Sequence, residues 1–349
     1  MKLLQDLSLS EIQNILKSLA VPGYRAEQLF KWITKGVPLA DMTNIPKELK
    51  NELSKRFLDH IPEIVKVVKA TDGTEKYLYK LHDGELIEGV YLPNNYGNTL
   101  CISTQVGCRM GCVFCASGIN GLLRNLSVGE IVGQYISATK RRQELKPQDT
   151  KPISNIVFMG SGEPLDNYDN SIDAIRLLCC DKGLNISIRN ISLSTCGLVP
   201  EILKLADEGL GLTLSVSLHA TTDILRRELI PIAKKYSLSE TMNATKKYFE
   251  KTGRRVCIEY ALIEDNNDAV EDAKRLANLV KGFSSHINLI KLNTHKTTQL
   301  KTSSEKSAKV FLSELEKLNL SASIRRSQGS EILGACGQLR GKFVGDNKG

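Results

Sequence analysis

Aromatic residues are scarce in this chain: Phe, Tyr and Trp make up 5% of its 349 residues, with a single Trp. A dense base-stacking platform is therefore not expected, and a polyanionic partner would be held mainly by Lys and Arg against phosphate. No apolar run approaches the ~18 residues that a membrane span needs. The opening Met1-Lys2-Leu3-Leu4-Gln5-Asp6 carries charges and lacks the apolar core of a secretory leader. Low-complexity tracts and internal repeats are also missing. These absences exclude membrane, secreted and fibrous classes and predict a cytoplasmic protein. In that reducing compartment, clustered cysteines hold metal or do chemistry more often than they form structural disulfides.

What is present is ordinary globular composition, 41% hydrophobic and 25% charged, with a net charge of +8. At ~150 residues per domain the length suggests about two domains. The charge is uneven. Residues 1–100 hold 13 basic and 13 acidic side chains, whereas residues 291–349 hold 11 against 5. A basic surplus toward one end suits a polyanionic partner.

Residues 1–60 read as a helical unit, with apolar spacing of helical period over 9–19 and 24–33 and a third helix from Pro46 to about Phe57. Residues 61–97 read as a three-stranded β-meander linker, its turns marked by Asp72-Gly73 and Asp83-Gly84. From about residue 98 strands alternate with helices. The β-runs are 100–106, 153–159, 189–195, 212–218, 255–263 and 286–292, and Ser127 with Glu130 forms a capping-box pattern at one helix start. Six βα units predict a parallel sheet and an α/β fold, an open partial (β/α)6 barrel over 98–300, with a doubly wound sheet as the alternative. A helix, a strand and a Gly-containing loop complete 301–349. In such folds the site lies at the C-terminal strand ends, where Cys108, the 160–163 segment, Ser194, Ser217-Leu218-His219 and Asn293 fall.

The strongest chemical signal is Cys108-Arg109-Met110-Gly111-Cys112-Val113-Phe114-Cys115, a CxxxCxxC just past the first barrel strand. Three thiolates in eight residues suit soft metals or an iron–sulfur cluster with one iron left open. A structural zinc site is the competing reading. It wants four ligands, usually two paired CxxC elements; no second pair exists here, though Cys101 could serve as a fourth ligand. The constellation resembles the radical S-adenosylmethionine superfamily over residues ~98–300, and Gly160-Ser161-Gly162-Glu163-Pro164 is similar to that family's GGEP element. The resemblance extends from about residue 20 to 341 through Pro22-Gly23-Tyr24-Arg25-Ala26-Glu27, Gln105-Val106-Gly107-Cys108, Ser217-Leu218-His219-Ala220 and Gly334-Ala335-Cys336-Gly337. The branch it resembles is the dual-specificity rRNA/tRNA adenine carbon-2 methyltransferases (RlmN type).

That resemblance implies a 4Fe–4S cluster on Cys108, Cys112 and Cys115. It implies S-adenosylmethionine held by Gly162, Glu163, Ser194, Ser217, Leu218, His219 and Asn293, with Phe114 near the adenine. Cys336 would be the methyl-carrying thiol, Cys101 its resolving partner in a transient disulfide, and Glu88 the proton acceptor. An adenine ring carbon is not a nucleophile, which is why a radical route suits the reaction. The implied targets are adenosine 2503 of 23S rRNA and adenosine 37 of tRNA. A flavodoxin-like electron donor and a monomeric state are also expected. Cys179, Cys180, Cys196 and Cys257 read as packing residues. Ser330 and Leu333 depart from the family's usual acidic residues before the reactive Cys. Two alternatives stay open: carbon-8 methylation of the same rRNA adenosine, and a non-catalytic, metal-stabilised RNA-binding protein.

Overall fold

Capping chemistry starts the first helix, α1 (Leu9–Ser18): the Ser8 hydroxyl accepts from the Glu11 N–H at 3.2 Å, and the Glu11 carboxylate accepts from the Ser8 N–H at 2.8 Å. Two more helices follow, α2 (Tyr24–Thr34) and α3 (Lys47–Arg56), the last beginning directly after Pro46. Their inner faces bury Ile12, Leu16, Leu29, Phe30, Ile33, Leu49 and Leu53. The computed structural model describes residues 1–145, 151–293 and 299–339.

The period then changes to strands: β1 (Glu63–Lys69), β2 (Glu75–Lys80) and β3 (Leu86–Leu92) pair antiparallel in sequence. At both turns an Asp side chain accepts a backbone N–H two residues on, Asp72 from Thr74 and Asp83 from Glu85. The alternating region comprises β4 (Asn98–Cys101), β5 (Gln105–Gly107), β6 (Leu122–Asn125), α4 (Val128–Leu145), β7 (Ile153–Phe158) and α5 (Tyr168–Cys179). It continues with β8 (Ile191–Thr195), α6 (Val199–Asp207), β9 (Thr213–Ser217), α7 (Asp223–Leu229), α8 (Leu238–Thr252) and β10 (Val256–Leu262). Then come α9 (Val270–Leu279), β11 (Ser285–Lys291), α10 (Glu305–Lys317) and β12 (Ala322–Arg325).

One ten-stranded sheet runs β1-β2-β3-β4-β7-β8-β9-β10-β11-β12. From β4 to β12 every pair is parallel, so six strand–helix crossovers separate seven parallel strands. Residues from β7 through β12 line a single cavity, which shows that this sheet curls around its C-terminal edge as an open partial barrel. Among the described residues, no helix is long and apolar enough to cross a membrane.

Two features differ from expectation. The three meander strands, read from the sequence as a linker, extend the barrel sheet, because β3 pairs with β4 through Val90–Cys101 and its neighbours. The run 100–106, expected as one barrel strand, is split. The Thr104 and Gln105 N–H groups both turn toward the Ser161 carbonyl, at 2.9 and 3.2 Å, and β5 then pairs with β6 in a separate ribbon. Neither β6 nor α7 has a strong sequence signal; they span four and seven residues.

Helix α4 joins the N-terminal helices to the barrel. Its Ser127–Glu130 capping box forms as expected, and the buried Glu130 carboxylate also receives both terminal nitrogens of Arg124 at 2.7 and 2.8 Å. Two glycines sit in its first turns, at a helix-propensity cost of about 1 kcal/mol each. Gly129 donates its N–H to Asp6 at 2.7 Å, and a Cβ there would lie 2.9 Å from the Gln5 backbone. The expected consequence is counter-intuitive. Gly129→Ala, which would stabilise a free helix, should lower the urea-unfolding free energy by about 1–3 kcal/mol through overpacking; a stabilised variant would show that this contact is loose.

Candidate functional site

The loops after the barrel strands are bound to one another by a chain of hydrogen bonds. The Gln105 side-chain carbonyl accepts from the Glu163 N–H at 2.9 Å. The Glu163 carboxylate accepts from the Cys196 N–H at 2.8 Å and from the Leu165 N–H at 3.1 Å. The Cys196 carbonyl accepts from Arg226 Nη2 at 2.7 Å. Helix α7, which carries Arg226, returns to the cysteine segment, where Val113 N–H donates to the Leu229 carbonyl at 3.1 Å. Loops from β4, β7, β8 and β9 thus form a closed ring.

The Gly-Ser-Gly of 160–162 has a steric cause in the protein itself. A Cβ on Gly160 would lie 2.6 Å from the Ile102 carbonyl oxygen, and one on Gly162 (φ +105°) would lie 2.6 Å from Gln105 Cβ. The glycines bring Glu163 against the first loop. Burial raises the Glu163 pKa above the ordinary carboxylate value, and its backbone hydrogen bonds act in the opposite direction.

Beside the ring lies a cavity open to solvent. Cys108, Cys112 and Cys115 line it together with Phe114, Gly162, Glu163, Ser194, Ser217, His219 and Asn293. The Ser194 and Ser217 hydroxyls are 3.5 Å apart on neighbouring strands. Leu218 is different: its side chain is fully buried in the apolar core and does not line the cavity. His219, at φ +54°, is held at both ends. Its Nδ1 accepts from the Ala261 N–H at 2.9 Å, leaving its proton on Nε2, and its carbonyl accepts from Asn267 at 2.8 Å. Phe114 packs edge-to-face on the His219 ring, with centroids 4.8 Å apart.

Cys336 lines this cavity and also a second one beside it, whose wall includes Val90, Cys101, Arg325 and Arg326. The loop bearing Cys336 is anchored on two sides. Gly329 N–H donates to Asp72 at 3.0 Å and Lys76 Nζ to the Leu333 carbonyl at 3.4 Å, both on the meander. Ala116 N–H donates to the Gly337 carbonyl at 2.7 Å and the Ser117 hydroxyl to the Leu339 carbonyl at 2.8 Å, next to the cysteine segment. Asn293 Nδ2 reaches the Cys336 carbonyl at 3.3 Å. All nine cysteines are free, and Cys101 and Cys336 line a shared cavity as thiols, so the disulfide expected between them only transiently is not present in this structure. Burial, and next the neighbouring Cys336, push the Cys101 thiol up to about 12. Glu88 is buried and paired with Lys76 at 3.0 Å. It shares a strand face with Val90, and it lies outside the residues lining either cavity.

Residues 102–277 match the family model of the radical SAM superfamily, and residues 3–58 match that of the ribosomal RNA large subunit methyltransferase N-terminal domain. A Clostridium perfringens protein named a probable dual-specificity RNA methyltransferase RlmN is 46% identical over 347 residues, covering 99% of this chain and 98% of its own. A Clostridium tetani protein of the same name is 46% identical over 346 residues, covering 99% and 97%. The chain belongs to the RlmN family of radical SAM RNA methyltransferases. The crystal structure of a radical SAM methyltransferase from Sphaerobacter thermophilus superposes with a TM-score of 0.92 at 39% identity, covering 98% of this chain and all of that one.

The enzyme's cofactors are accordingly a 4Fe–4S cluster and S-adenosylmethionine. The donor set suits the cluster. Three thiols share one cavity wall, and the charges of Cys115 and Cys108 raise the Cys112 thiol further after burial has already raised it. Such mutual repulsion is relieved when thiolates ligate metal. Among the described residues no three His, Cys, Asp or Glu side chains converge on a single ion; in a cubane cluster each thiolate holds a different iron.

Several site residues carried no clear sequence signal. Cys196 lines the cavity and contributes both backbone groups to the ring, although it read as packing. Gln105 was legible only as part of its motif. Glu259, Arg325 and Arg226 emerge only from the fold. Of the basic residues counted near the C-terminus, Lys296, Arg340, Lys342 and Lys348 lie outside the described residues.

Burial, and next the charge of Arg226, lower the His219 imidazole to about 3. The unfolded chain takes up this proton below about 6.5 and the folded one does not. The stability it contributes is therefore complete above that pH and is lost progressively toward pH 3. Between pH 7 and 5 the wild-type protein should lose about 1–2 kcal/mol more unfolding free energy than His219→Gln in parallel urea titrations. Equal losses would mean that the ring is solvated.

Proposed function

We propose that this enzyme methylates carbon 2 of adenosine in 23S rRNA and tRNA, at adenosines 2503 and 37 respectively, through a methylated Cys336. The observation that carries this reading is that Cys336 lines both cavities, one with the three cluster-type cysteines and one with Cys101. The names of the relatives, which describe dual-specificity RNA methyltransferases, support the RNA substrate.

Cys108, Cys112 and Cys115 would ligate the cluster, and Glu163, Ser194, Ser217, the Nε2–H of His219 and Asn293 would bind S-adenosylmethionine. When bound, these cofactors supply a transferable methyl group and one-electron chemistry that removes hydrogen from a methyl carbon. Cys336 accepts the methyl group on sulfur and presents its carbon to the adenine. The product then remains tied to the protein through a thioether; the Cys101 thiol gives up its proton and attacks the Cys336 sulfur, an S–S bond forms as the S–C bond breaks, and the released carbon keeps the S–C electron pair and takes up a proton to become the methyl group. Burial holds the Cys101 thiol up at about 12, so it keeps its proton at neutral pH until it reacts. Glu88 would accept the carbon-2 proton.

Residues 1–60 would dock RNA, residues 98–300 carry the cofactors and residues 301–349 deliver the reactive thiol. A flavodoxin-like protein would supply electrons. Cys336→Ala should abolish methylated RNA while leaving cluster loading intact. Cys101→Ala should trap RNA covalently on Cys336, visible as a slow-migrating band sensitive to nuclease. Mass spectrometry of digested wild-type product against 2-methyl- and 8-methyladenosine standards identifies the carbon; an 8-methyl product, or methylation surviving in Cys336→Ala, defeats the proposal. RNA affinity should fall steeply between 50 and 200 mM salt if Lys and Arg hold phosphates, by ~10³-fold or more for six contacts.

A further inference from the structure

Arg226 is fully buried, and it is bonded by only part of its guanidinium. Nη2 donates to the Cys196 carbonyl, while Nε and Nη1 are buried with no hydrogen-bond partner among the described residues. Its helix neighbour Asp223 does not neutralise it by direct bonding, because the Asp223 carboxylate accepts from the Leu238 N–H at 2.8 Å. A buried cation with two unmet donors is costly unless an anion faces it. Burial disfavours the charged form of Arg226, and the neighbouring Cys196, Cys112 and Asp223 act in the opposite direction. Two packing facts hold it there. The Val113–Leu229 backbone bond docks α7 on the cysteine segment, and a Cβ on Gly197 would lie 2.9 Å from Nη2, so the loop after β8 is shaped around the guanidinium.

We propose that Arg226 is a positioning and charge-balancing residue for the iron–sulfur cluster, its buried guanidinium standing behind the cavity-lining Cys196 and beside the cysteine segment and raising the cluster's reduction potential. This rests on the reading that Cys108, Cys112 and Cys115 ligate the cluster. Three thiolates make the oxidised cluster net negative, and reduction adds a further negative charge, so a fixed cation favours the reduced form. Arginine suits the role because it stays charged when buried and offers several donors in one plane.

The experiment is a potentiometric titration, followed by electron paramagnetic resonance, of anaerobically reconstituted wild-type, Arg226→Met and Arg226→Lys proteins with iron and sulfide counted in each. With full loading, Arg226→Met should have a reduced-to-oxidised ratio at least tenfold lower at a fixed potential, a shift of about 59 mV for one electron. Arg226→Lys should recover most of it. An unchanged midpoint in Arg226→Met, or a Lys variant as low as the Met variant, overturns the proposal. Should Arg226→Met fail to fold or load, an unmutated Arg226 can be examined. Protein labelled with ¹⁵N in its arginine side chains, in an Arg109→Lys background, should show ¹⁵N hyperfine coupling to the reduced cluster, and no coupling overturns the proposal. The underlying ligand reading fails separately, if Cys112→Ser still binds a complete cluster.

Discussion

The site depends on one ring of hydrogen bonds. Gln105, Glu163, Cys196 and Arg226 join the loops after β4, β7, β8 and β9, and the Val113–Leu229 contact closes the ring on the cysteine segment. The constraint behind it is the obligation to satisfy buried polar groups. Glu163 cannot sit buried as a carboxylate without the Cys196 and Leu165 amides, and those amides cannot reach it unless the loops converge. Gly160 and Gly162 exist in this sequence because that convergence leaves no room for a Cβ.

The second organising element is the C-terminal loop. It runs from the meander, through Asp72 and Lys76, to the turn after the third cysteine, through Ala116 and Ser117. Cys336 lies between those anchors and therefore between two cavities. The proposed route, methyl transfer to Cys336 beside the three cysteines and release by Cys101, needs a thiol that borders both cavities, and a loop anchored on both sides places Cys336 there. Ser330 and Leu333 fall in the part of this loop nearest the meander, where backbone groups make the anchoring bonds; Leu333 contributes its carbonyl to Lys76 and leaves its side chain exposed.

Much of the fold was legible from periodicity. Strands of the parallel sheet, the three N-terminal helices and the start of α4 fall within a few residues of their expected positions, because long apolar runs with capping and turn residues have few other ways to bury themselves. The failures are local and explicable. Residues 100–106 have strand composition throughout, yet the bend at Thr104–Gln105 is dictated by the Ser161 carbonyl, which sits on another strand's loop. The meander's junction with the barrel is invisible for the same reason: pairing between β3 and β4 is a relation between segments.

The cysteine spacing, the Gly-Ser-Gly-Glu-Pro element and the motif around Cys336 were determined by the sequence alone, since ligand type and spacing are properties of the chain. The family follows from them. What the tertiary structure decided is which groups meet. It turned Leu218 into the core while His219 faces the cavity, held Cys101 and Cys336 on a shared wall, and left Glu88 behind Lys76. It also brought Arg226 to the cysteine segment with two donors unmet. A lone arginine in a helix reads as solvated surface, because burial of a charge depends on what the rest of the chain packs around it, and that is settled only when the sheet curls.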